Sequence, residues 1–483
     1  MTAPSPGRFD SRQRRSLLGA LVALVVLGVA GIFTAVLVGL WGADGDDPRG
    51  SGRNTGRTAG PVDRGGALTP HWVGTWSAAP VGPEPDTYLR GHSGRTFRNV
   101  VHTSIGGDQV RITLSNLYGE QPLRISSATV ALAAGATTPA AERGSLAPLT
   151  FGGAATVTVP PGDEVTSDAV GLRVPADTGL LVSTYAPASG EPGGPVTYHP
   201  GSRQTSYAAD GDRTQDESGD PFDSRTTAWR HLVAVDVRTD RTAGAIVAFG
   251  DSITDGAMSS VDENRRWTDV LANRLRKGGA DEQSTADTGT DITTGTGTGA
   301  GAGAAAGPGP GPGKDGATPR LSVVNAGISG NRLLREGVGP SGLDRFDRDV
   351  LSRAGVRVVV IELGINDIGR TARPAEPEKI VAGLRELTER ARARGLLVVG
   401  STLTPYGGHK SYSAEGESVR RSVNARIRAG EVFDAVVDFD RILRDPEAPD
   451  RLRAEYDSGD HLHPGDAGYR AMGRGFDLKL LTS

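Results

Sequence analysis

The stretch Ile246-Val247-Ala248-Phe249-Gly250-Asp251-Ser252-Ile253-Thr254-Asp255-Gly256 decides the fold of the C-terminal half of this 483-residue chain. An apolar run that ends in a glycine turn predicts a buried strand followed by a sharp change of direction. The turn presents one serine, Ser252, which is therefore the candidate nucleophile. Taken alone, Gly-Asp-Ser is also a common turn or helix cap, so the assignment depends on partners elsewhere in the chain.

A second segment, residues 456–464 near the C-terminus, supplies a candidate base and a carboxylate to orient it. Asp460 and His463 are three residues apart, so on a turn or a first helical turn their side chains lie on one side. Asp460 can then hold one imidazole nitrogen while the other faces Ser252. His461 lacks this spacing, and we expect it to lie outside the site.

Two loops between these segments offer hydrogen-bond donors. Residues 325–331 and 364–367 each follow a β-branched apolar run, which predicts that both loops lie at the carboxyl ends of strands. Acyl transfer builds negative charge on the carbonyl oxygen, and the backbone N–H of Gly330 and the amide of Asn366 suit the stabilisation of that charge. The alternative is that the glycines only allow positive φ in tight turns and that Asn366 caps a helix.

The four segments, in the order Gly-Asp-Ser, Gly-x-Ser-Gly-Asn, Gly-x-Asn-Asp and Asp-x-x-His, closely resemble the motifs of the SGNH hydrolases, also called the GDSL esterase/lipase family. The resemblance covers about residue 245 to the C-terminus. It implies Ser252 as nucleophile, His463 as base and Asp460 as the residue that orients the base. It also implies an oxyanion hole formed by the N–H groups of Ser252 and Gly330 and by the side chain of Asn366.

The order of strands and helices agrees with the flavodoxin-like three-layer α/β/α domain that this resemblance implies. Five predicted strands, at residues 245–249, 321–325, 356–363, 396–402 and 436–438, alternate with helical segments, which predicts a parallel sheet covered by helices. Trp267 repeats at helical spacing with Leu271 and Leu275, so we expect it to pack in the core. A final helix is predicted over residues 466–480. Ile253 replaces the leucine that gives the family its name, at a position that packs instead of reacting.

The N-terminal segment predicts a membrane anchor. Residues 1–16 carry four arginines, and residues 17–41 carry no charge. The uncharged segment is long enough to span a bilayer, because about twenty residues suffice. We therefore expect a basic cytoplasmic N-terminus, a single-pass anchor at 17–41, a flexible linker at 42–70 and a hydrolase outside the cell membrane. A cleaved signal segment and a secreted enzyme are the alternative, and Arg14-Arg15 weakly resembles a twin-arginine export signal.

Residues 71–243 predict a separate all-β domain, a sandwich or jelly roll. Short alternating stretches such as residues 110–114, 129–132, 180–185 and 232–235 are separated by turn residues. The opening segment, residues 72–80, resembles the β domain that precedes the hydrolase in many actinobacterial secreted SGNH proteins. Exposed aromatic residues of such a domain could bind glycan, although core packing is expected for each candidate. These candidates are Trp72, Trp76, Tyr118, Tyr185 and Trp229.

Composition narrows the function further. The chain has no cysteine, which excludes disulfides and thiolate metal sites, and His102, His199 and His231 lack the close spacing of metal ligands. The net charge of the whole chain is −4, and the four arginines and Asp10 before residue 17 contribute +3. The rest of the chain therefore has a net charge of about −7, which argues against nucleic acid as a partner. Residues 279–318, a Gly-, Thr- and Pro-rich insertion in the hydrolase domain (residues 244–483), are expected to be a disordered surface loop.

The function predicted from these observations is an extracytoplasmic serine esterase that needs no metal or organic cofactor. We expect short acyl groups, such as acetyl on plant or cell-wall polysaccharide, because nothing between the motifs supplies a long apolar lid. A lipase for longer chains and an acyltransferase that passes the acyl group to a sugar hydroxyl remain alternatives. A non-catalytic glycan-binding surface protein is a third alternative, and the intact motif residues argue against it.

Overall fold

The computed structural model describes residues 69–87, 91–188, 194–278, 320–371 and 373–481. The predicted anchor, the linker up to residue 68 and the low-complexity insertion lie outside these ranges and stay predictions. Within the described ranges, no helix combines the length and the apolar character needed to cross a bilayer.

Residues 69–239, here called the β region, are built from strands joined by turns. In the described parts of this region the strands, β1 to β15 in chain order, are His71–Ser77, Gly82–Pro83, Arg95–His102, Gln109–Ser115, Leu123–Ile125, Ser127–Leu132, Ala147–Pro148, Val157–Val159, Glu164–Thr166, Gly179–Ala186, Thr197–His199, Ser206–Asp210, Ser224–Thr226, Trp229–Arg230 and Leu232–Thr239. A four-stranded sheet has the order β1-β15-β4-β9, and a six-stranded sheet has the order β13-β12-β3-β10-β6-β7. Each neighbouring pair in these two sheets is antiparallel.

The two sheets pack face to face around one apolar core. Alternate residues of β4, Val110, Ile112 and Leu114, are fully buried, as a strand with one face on a core requires. They share a cluster with buried residues of β3, β6 and β10 from the other sheet. Trp76 and Trp229 belong to the same cluster and contact each other edge to face with ring centroids 4.9 Å apart. The predicted sandwich is confirmed, and these two tryptophans are core residues.

Residues 244–481, here called the α/β region, contain the predicted parallel sheet. Its strands, β16 to β20, are Gly244–Gly250, Leu321–Gly327, Val356–Glu362, Leu397–Ser401 and Ala435–Val437. Its α-helices, α1 to α8, are Ser252–Asp255, Trp267–Arg276, Gly342–Phe346, Ile365–Gly369, Pro377–Arg392, Ala414–Arg428, Phe439–Leu443 and Asp466–Gly475, with a π-helical turn at Asp347–Leu351 and a 3-10 turn at Leu478–Leu481. The sheet order β17-β16-β18-β19-β20 is that of flavodoxin-like folds, whose ligands bind beyond the carboxyl ends of the strands.

Helices cover both faces of this sheet. Val247 and Phe249 of β16 join a core with α5 and α6, whereas Ile246 and Ala248 join a second core with α2 and α8. Every residue of β16 is buried because the strand has apolar neighbours on both faces. Trp267 is fully buried in the second core. The three-layer fold and the core position of Trp267 are therefore confirmed.

The last helix differs from its prediction. Residues 466–480 were expected to form one helix, but α8 ends at Gly475 and a separate 3-10 turn follows at Leu478–Leu481. Phe476 takes extended backbone angles at the end of α8 and is fully buried. Two glycines, Gly473 and Gly475, weaken the end of the helix, so burial of the phenylalanine ring outweighs its continuation.

Strand β1 joins the β region to the α/β region. The Gly74 N–H donates to the carbonyl oxygen of Ala354 at 2.9 Å. The Ser77 hydroxyl donates to the Asn325 carbonyl at 2.8 Å, and the Ser322 hydroxyl donates to the Gly74 carbonyl at 2.8 Å. These bonds connect β1 with β17 and with the loop before β18.

Candidate active site

Ser252 is the first residue of α1, directly beyond the carboxyl end of β16. Asp251 caps this short helix by accepting a hydrogen bond from the Ile253 N–H at 3.1 Å. The turn needs glycine at position 250, because a Cβ there would lie 2.3 Å from the Thr254 hydroxyl and 2.4 Å from the Glu362 carbonyl. The Gly-Asp-Ser sequence therefore serves a steric purpose as well as presenting the serine.

His463 and Asp460 meet Ser252 in one hydrogen-bonded chain. His463 Nε2 lies 2.7 Å from Ser252 Oγ, and His463 Nδ1 lies 2.6 Å from Asp460 Oδ2. Asp460 Oδ1 also accepts the backbone N–H groups of Leu462 at 3.0 Å and His463 at 2.8 Å. Burial raises the pKa of Asp460, but the hydrogen bonds from His463 and Leu462 outweigh it and lower the pKa to about 2. The ionised carboxylate accepts the Nδ1 proton, which leaves Nε2 free to accept the serine hydroxyl.

His461 points elsewhere. Its Nδ1 lies 2.5 Å from Asp457 Oδ2, and 51% of its side chain is exposed. Of the two neighbouring histidines, the structure brings His463 to Ser252 and leaves His461 at the surface.

The two predicted donor loops lie beside Ser252. Gly330 has φ +81°, a left-handed conformation that favours glycine. Asn366 lies in α4, and its amide nitrogen donates one hydrogen bond to the Asn331 carbonyl at 2.9 Å, so a second N–H stays available. Asp367 accepts the N–H groups of Leu333 at 2.7 Å and Leu334 at 2.9 Å. Asn366 and Asp367, which follow β18, therefore hold the Gly330 loop in place by hydrogen bonds.

A buried arginine that the sequence analysis did not single out supports the same loops. Arg345 donates to the carbonyl oxygens of Gly250 and Ala326, each at 2.8 Å, and to Asn331 Oδ1 at 2.9 Å. Its guanidinium also bonds Asp349 at 3.1 Å, which balances its charge. Arg345 thus connects the carboxyl ends of β16 and β17 with the Gly330 loop.

These residues surround an open cleft of about 580 Å³. Its apolar lining comes from Ala257, Val338, Ile365 and Leu462, next to the polar groups described above. Its lining residues are Ser252, Ala257, Ser329, Gly330, Val338, Ile365, Asn366, Gly369, Arg370, Tyr406, His409, Lys410, Ser411, Asp460, Leu462 and His463. All five predicted site residues therefore line one cleft. Among the described residues, no cluster of three or more histidine and carboxylate side chains is arranged to hold a metal ion.

A buried pair of carboxyl groups, Asp251 and Glu362, lies close to Ser252. Asp251 is fully buried, and burial, followed by the charges of neighbouring acids, raises its pKa to about 7. Burial and the charge of Asp251 also raise the pKa of Glu362 well above its usual value. Asp251 Oδ2 and Glu362 Oε1 are buried without a hydrogen-bond partner among the described residues, so neither oxygen has a donor to stabilise a negative charge. The pair therefore holds a proton in the folded protein near neutral pH.

Replacing Asp251 with asparagine should make stability less dependent on pH. Because both folded-state pKa values are raised, the folded protein holds more protons than the unfolded chain between about pH 4 and pH 7. Its free energy of unfolding therefore falls as pH rises through this window, by about 1.4 kcal/mol per pH unit for each extra proton. The amide keeps the cap to Ile253 and removes one titrating group.

Urea unfolding of the wild-type and Asp251→Asn proteins would measure this difference between about pH 4 and pH 8. The variant should gain stability relative to wild type as pH rises. A constant difference across that range would contradict the raised pKa of the pair.

A histidine from the β region reaches the same site from behind. His199 is buried; its Nδ1 lies 2.7 Å from the Ala79 carbonyl and its Nε2 lies 3.0 Å from Asp255 Oδ1. Both ring nitrogens face oxygen acceptors, so both carry protons and the imidazole is charged. Burial lowers the pKa of His199, but the charge and hydrogen bond of Asp255 and the Ala79 carbonyl outweigh it, so the pKa is raised. The other oxygen of Asp255 accepts from the N–H and hydroxyl of Ser329, next to Gly330.

Replacing His199 with alanine should lower the free energy of unfolding by about 3 kcal/mol, because it leaves the buried Asp255 carboxylate without its cation. His102→Ala is a matched control. His102 makes a similar 2.9 Å contact with Asp177, but the two side chains are 26% and 39% exposed, so the loss should stay below about 1 kcal/mol.

Urea unfolding measures both effects, and equal losses would contradict the buried ion pair. The His199 contribution should be complete below pH about 6.5 and should decrease as pH rises through its raised folded-state pKa.

The geometry is that of an acyl-transfer hydrolase on a flavodoxin-like sheet, and comparison with known families agrees. Residues 288–471 match the model of the GDSL-like Lipase/Acylhydrolase family. This match supports the family, also called the SGNH hydrolases, for the α/β region, and it supports a hydrolase as the enzyme class. The predicted family and enzyme class are thus confirmed. The matched range begins after Ser252, whose position in the site comes from the structure alone.

Solved structures similar to this chain include three esterases or lipases. A GDSL-like lipase from Bacteroides thetaiotaomicron has 17% identity and a TM-score of 0.30, covering 48% of this chain and 84% of that one. An aryl esterase from M. smegmatis has 17% identity and a TM-score of 0.32, covering 47% and 94%. Est24, a carbohydrate acetylesterase from Sinorhizobium meliloti, has 15% identity and a TM-score of 0.31, covering 48% and 94%. A comparison with curated proteins found no match.

Proposed function

We propose that the protein is an extracytoplasmic serine esterase that hydrolyses short-acyl esters, with acetyl esters of carbohydrates as its natural substrate class, through Ser252, His463 and Asp460. The observation that carries the proposal is the contact of 2.7 Å between His463 Nε2 and Ser252 Oγ, with Asp460 on the other ring nitrogen. This arrangement fits a serine activated by a general base.

In the first step, Ser252 Oγ bonds to the acyl carbon while His463 Nε2 takes the hydroxyl proton. The carbonyl oxygen becomes negative, and the second N–H of Asn366 and the N–H groups of Ser252 and Gly330 stabilise it. His463 then gives its proton to the departing alkoxide as the bond from the acyl carbon breaks.

In the second step, water attacks the acyl-enzyme and gives its proton to His463. Collapse of the second tetrahedral intermediate returns that proton to Ser252 Oγ and releases the acid. Asp460 stays ionised throughout, since its hydrogen bonds hold its pKa at about 2.

The preference for short acyl groups rests on the cleft. Its aliphatic side chains are Ala257, Val338, Ile365 and Leu462, and with the Tyr406 ring they form a small apolar surface, divided by polar residues, for a long hydrocarbon chain. The position outside the cell membrane rests on the uncharged segment 17–41 of the sequence.

The test is hydrolysis of p-nitrophenyl esters from acetate to palmitate, combined with labelling by a fluorophosphonate and identification of the modified residue by mass spectrometry. We expect turnover to be highest for acetate and the label to be on Ser252. A preference for palmitate would indicate a lipase instead. Acyl transfer to excess sugar that outcompetes hydrolysis would indicate an acyltransferase, and a label on any other residue would refute the assignment of Ser252.

A further inference from the structure

Basic side chains line the cleft that contains Ser252. Arg370, His409 and Lys410 lie on its wall, and the side chains of Arg370 and Lys410 reach solvent. Among the described residues that line the cleft, Asp460 is the only carboxylate, and it is bonded to His463. The cleft therefore presents positive charge that its own walls do not neutralise.

Arg370 lies especially close to the expected reaction centre. A Cβ on Gly330 would be 2.6 Å from Arg370 Nη1 and 3.2 Å from Cζ, so the guanidinium rests against the loop that offers the Gly330 N–H. Arginine binds a carboxylate through two parallel N–H groups, and a flat guanidinium is suited to that geometry.

Other arginines of the α/β region are used differently. Arg420 is paired with Glu417 at 2.8 Å and with Asp440 at 2.7 Å, and Arg428 is paired with Asp438 at 2.7 Å. In the described part of the chain, neither Arg370 nor Lys410 has such an ion pair. A positive cleft on a protein of net charge −4 attracts anions to the site, and its low-dielectric walls strengthen that attraction.

We propose that the substrate is an anionic ester, an acylated sugar with a carboxylate close to the ester, and that Arg370 and Lys410 bind this carboxylate. The proposal rests on the esterase function proposed above and specifies its substrate class. The nearby His409 does not supply a third fixed charge, because burial lowers its pKa despite the opposing charge of Asp460. Its Nδ1 lies 2.7 Å from the Ser411 hydroxyl.

Two small esters that differ only in charge test the proposal: 4-carboxyphenyl acetate and the neutral 4-carbamoylphenyl acetate. For the wild-type protein, we expect kcat/KM to be about tenfold higher for the anionic ester at low salt, and the ratio to fall as ionic strength rises because salt screens exposed charges. The double variant Arg370→Gln/Lys410→Gln should bring the ratio close to one. Acetylated polygalacturonate should likewise be deacetylated faster than acetylated xylan.

Arg394→Gln is the matched control, since it removes an exposed arginine charge in the loop between α5 and β19, outside the residues that line the cleft. Its ratio should equal that of the wild-type protein. Equal wild-type rates on the two esters would refute the anionic substrate and leave the proposed esterase function standing. If the protein hydrolysed neither ester nor p-nitrophenyl acetate, both the anionic substrate and the esterase function would be refuted. An equal loss of kcat on both esters in Arg370→Gln would also overturn the proposal, because it would assign Arg370 to the oxyanion.

Discussion

Replacing His463 with alanine should lower kcat for p-nitrophenyl acetate by about 10⁴-fold or more, because the serine loses the group that takes its proton. His461→Ala should retain most of the wild-type activity. The two histidines are separated by one residue, but His463 Nε2 lies 2.7 Å from Ser252 Oγ, whereas His461 bonds Asp457 and is half exposed.

The comparison of these two variants separates loss of chemistry from loss of structure. Both changes remove an imidazole that bonds an aspartate, and both act on the same loop before α8. Thermal unfolding of each variant would verify that the loop and helix remain folded. Full activity in His463→Ala, or a greater loss in His461→Ala, would refute the assignment of the base.

Asn366→Ala should lower kcat by about a hundredfold with a smaller effect on KM, because an oxyanion donor acts mainly in the transition state. One N–H of its amide holds the Asn331 carbonyl, and the other is the proposed donor. The variant therefore also loses one structural hydrogen bond, which would be expected to cost about 1 kcal/mol of stability.

Asn116→Ala provides the matched control for that structural loss. Asn116 is as buried as Asn366, and its amide donates to the carbonyl oxygens of Gln121 at 2.9 Å and Val159 at 3.0 Å, in the β region. The Asn116→Ala variant should lose stability with little change in kcat. A KM effect alone in Asn366→Ala, or equal kcat losses in the two variants, would contradict the donor role.

The sequence predicted the parallel sheet well because its signals are local. Each predicted strand overlaps an observed strand, and the ends differ by no more than two residues. Ser252, Gly330 and Asn366 could be grouped because each follows a strand whose carboxyl end must lie at the same edge of the sheet. Asp460 and His463 could be paired because three residues separate them.

The side chains that hold the site loops in place could not be predicted from local sequence patterns. Arg345 is 95 residues from its partner Gly250, and His199 is 56 residues from Asp255. Nothing in the neighbourhood of either residue distinguishes it from an arginine or histidine at the surface. Their roles depend on which distant chain segments become neighbours in the fold. The early end of the last helix is also a tertiary effect, because it depends on the burial of Phe476.

The hydrogen bonds of strand β1 limit how this protein can be divided. A gene fragment that encoded only the α/β region would expose the Ser322 hydroxyl and the Asn325 carbonyl without their partners on β1. It would also remove the His199 cation from Asp255, which lies in the same short helix as Ser252. Recombination between the two halves should therefore be disfavoured by selection, and a designer seeking a smaller catalyst would have to rebuild that face of the sheet.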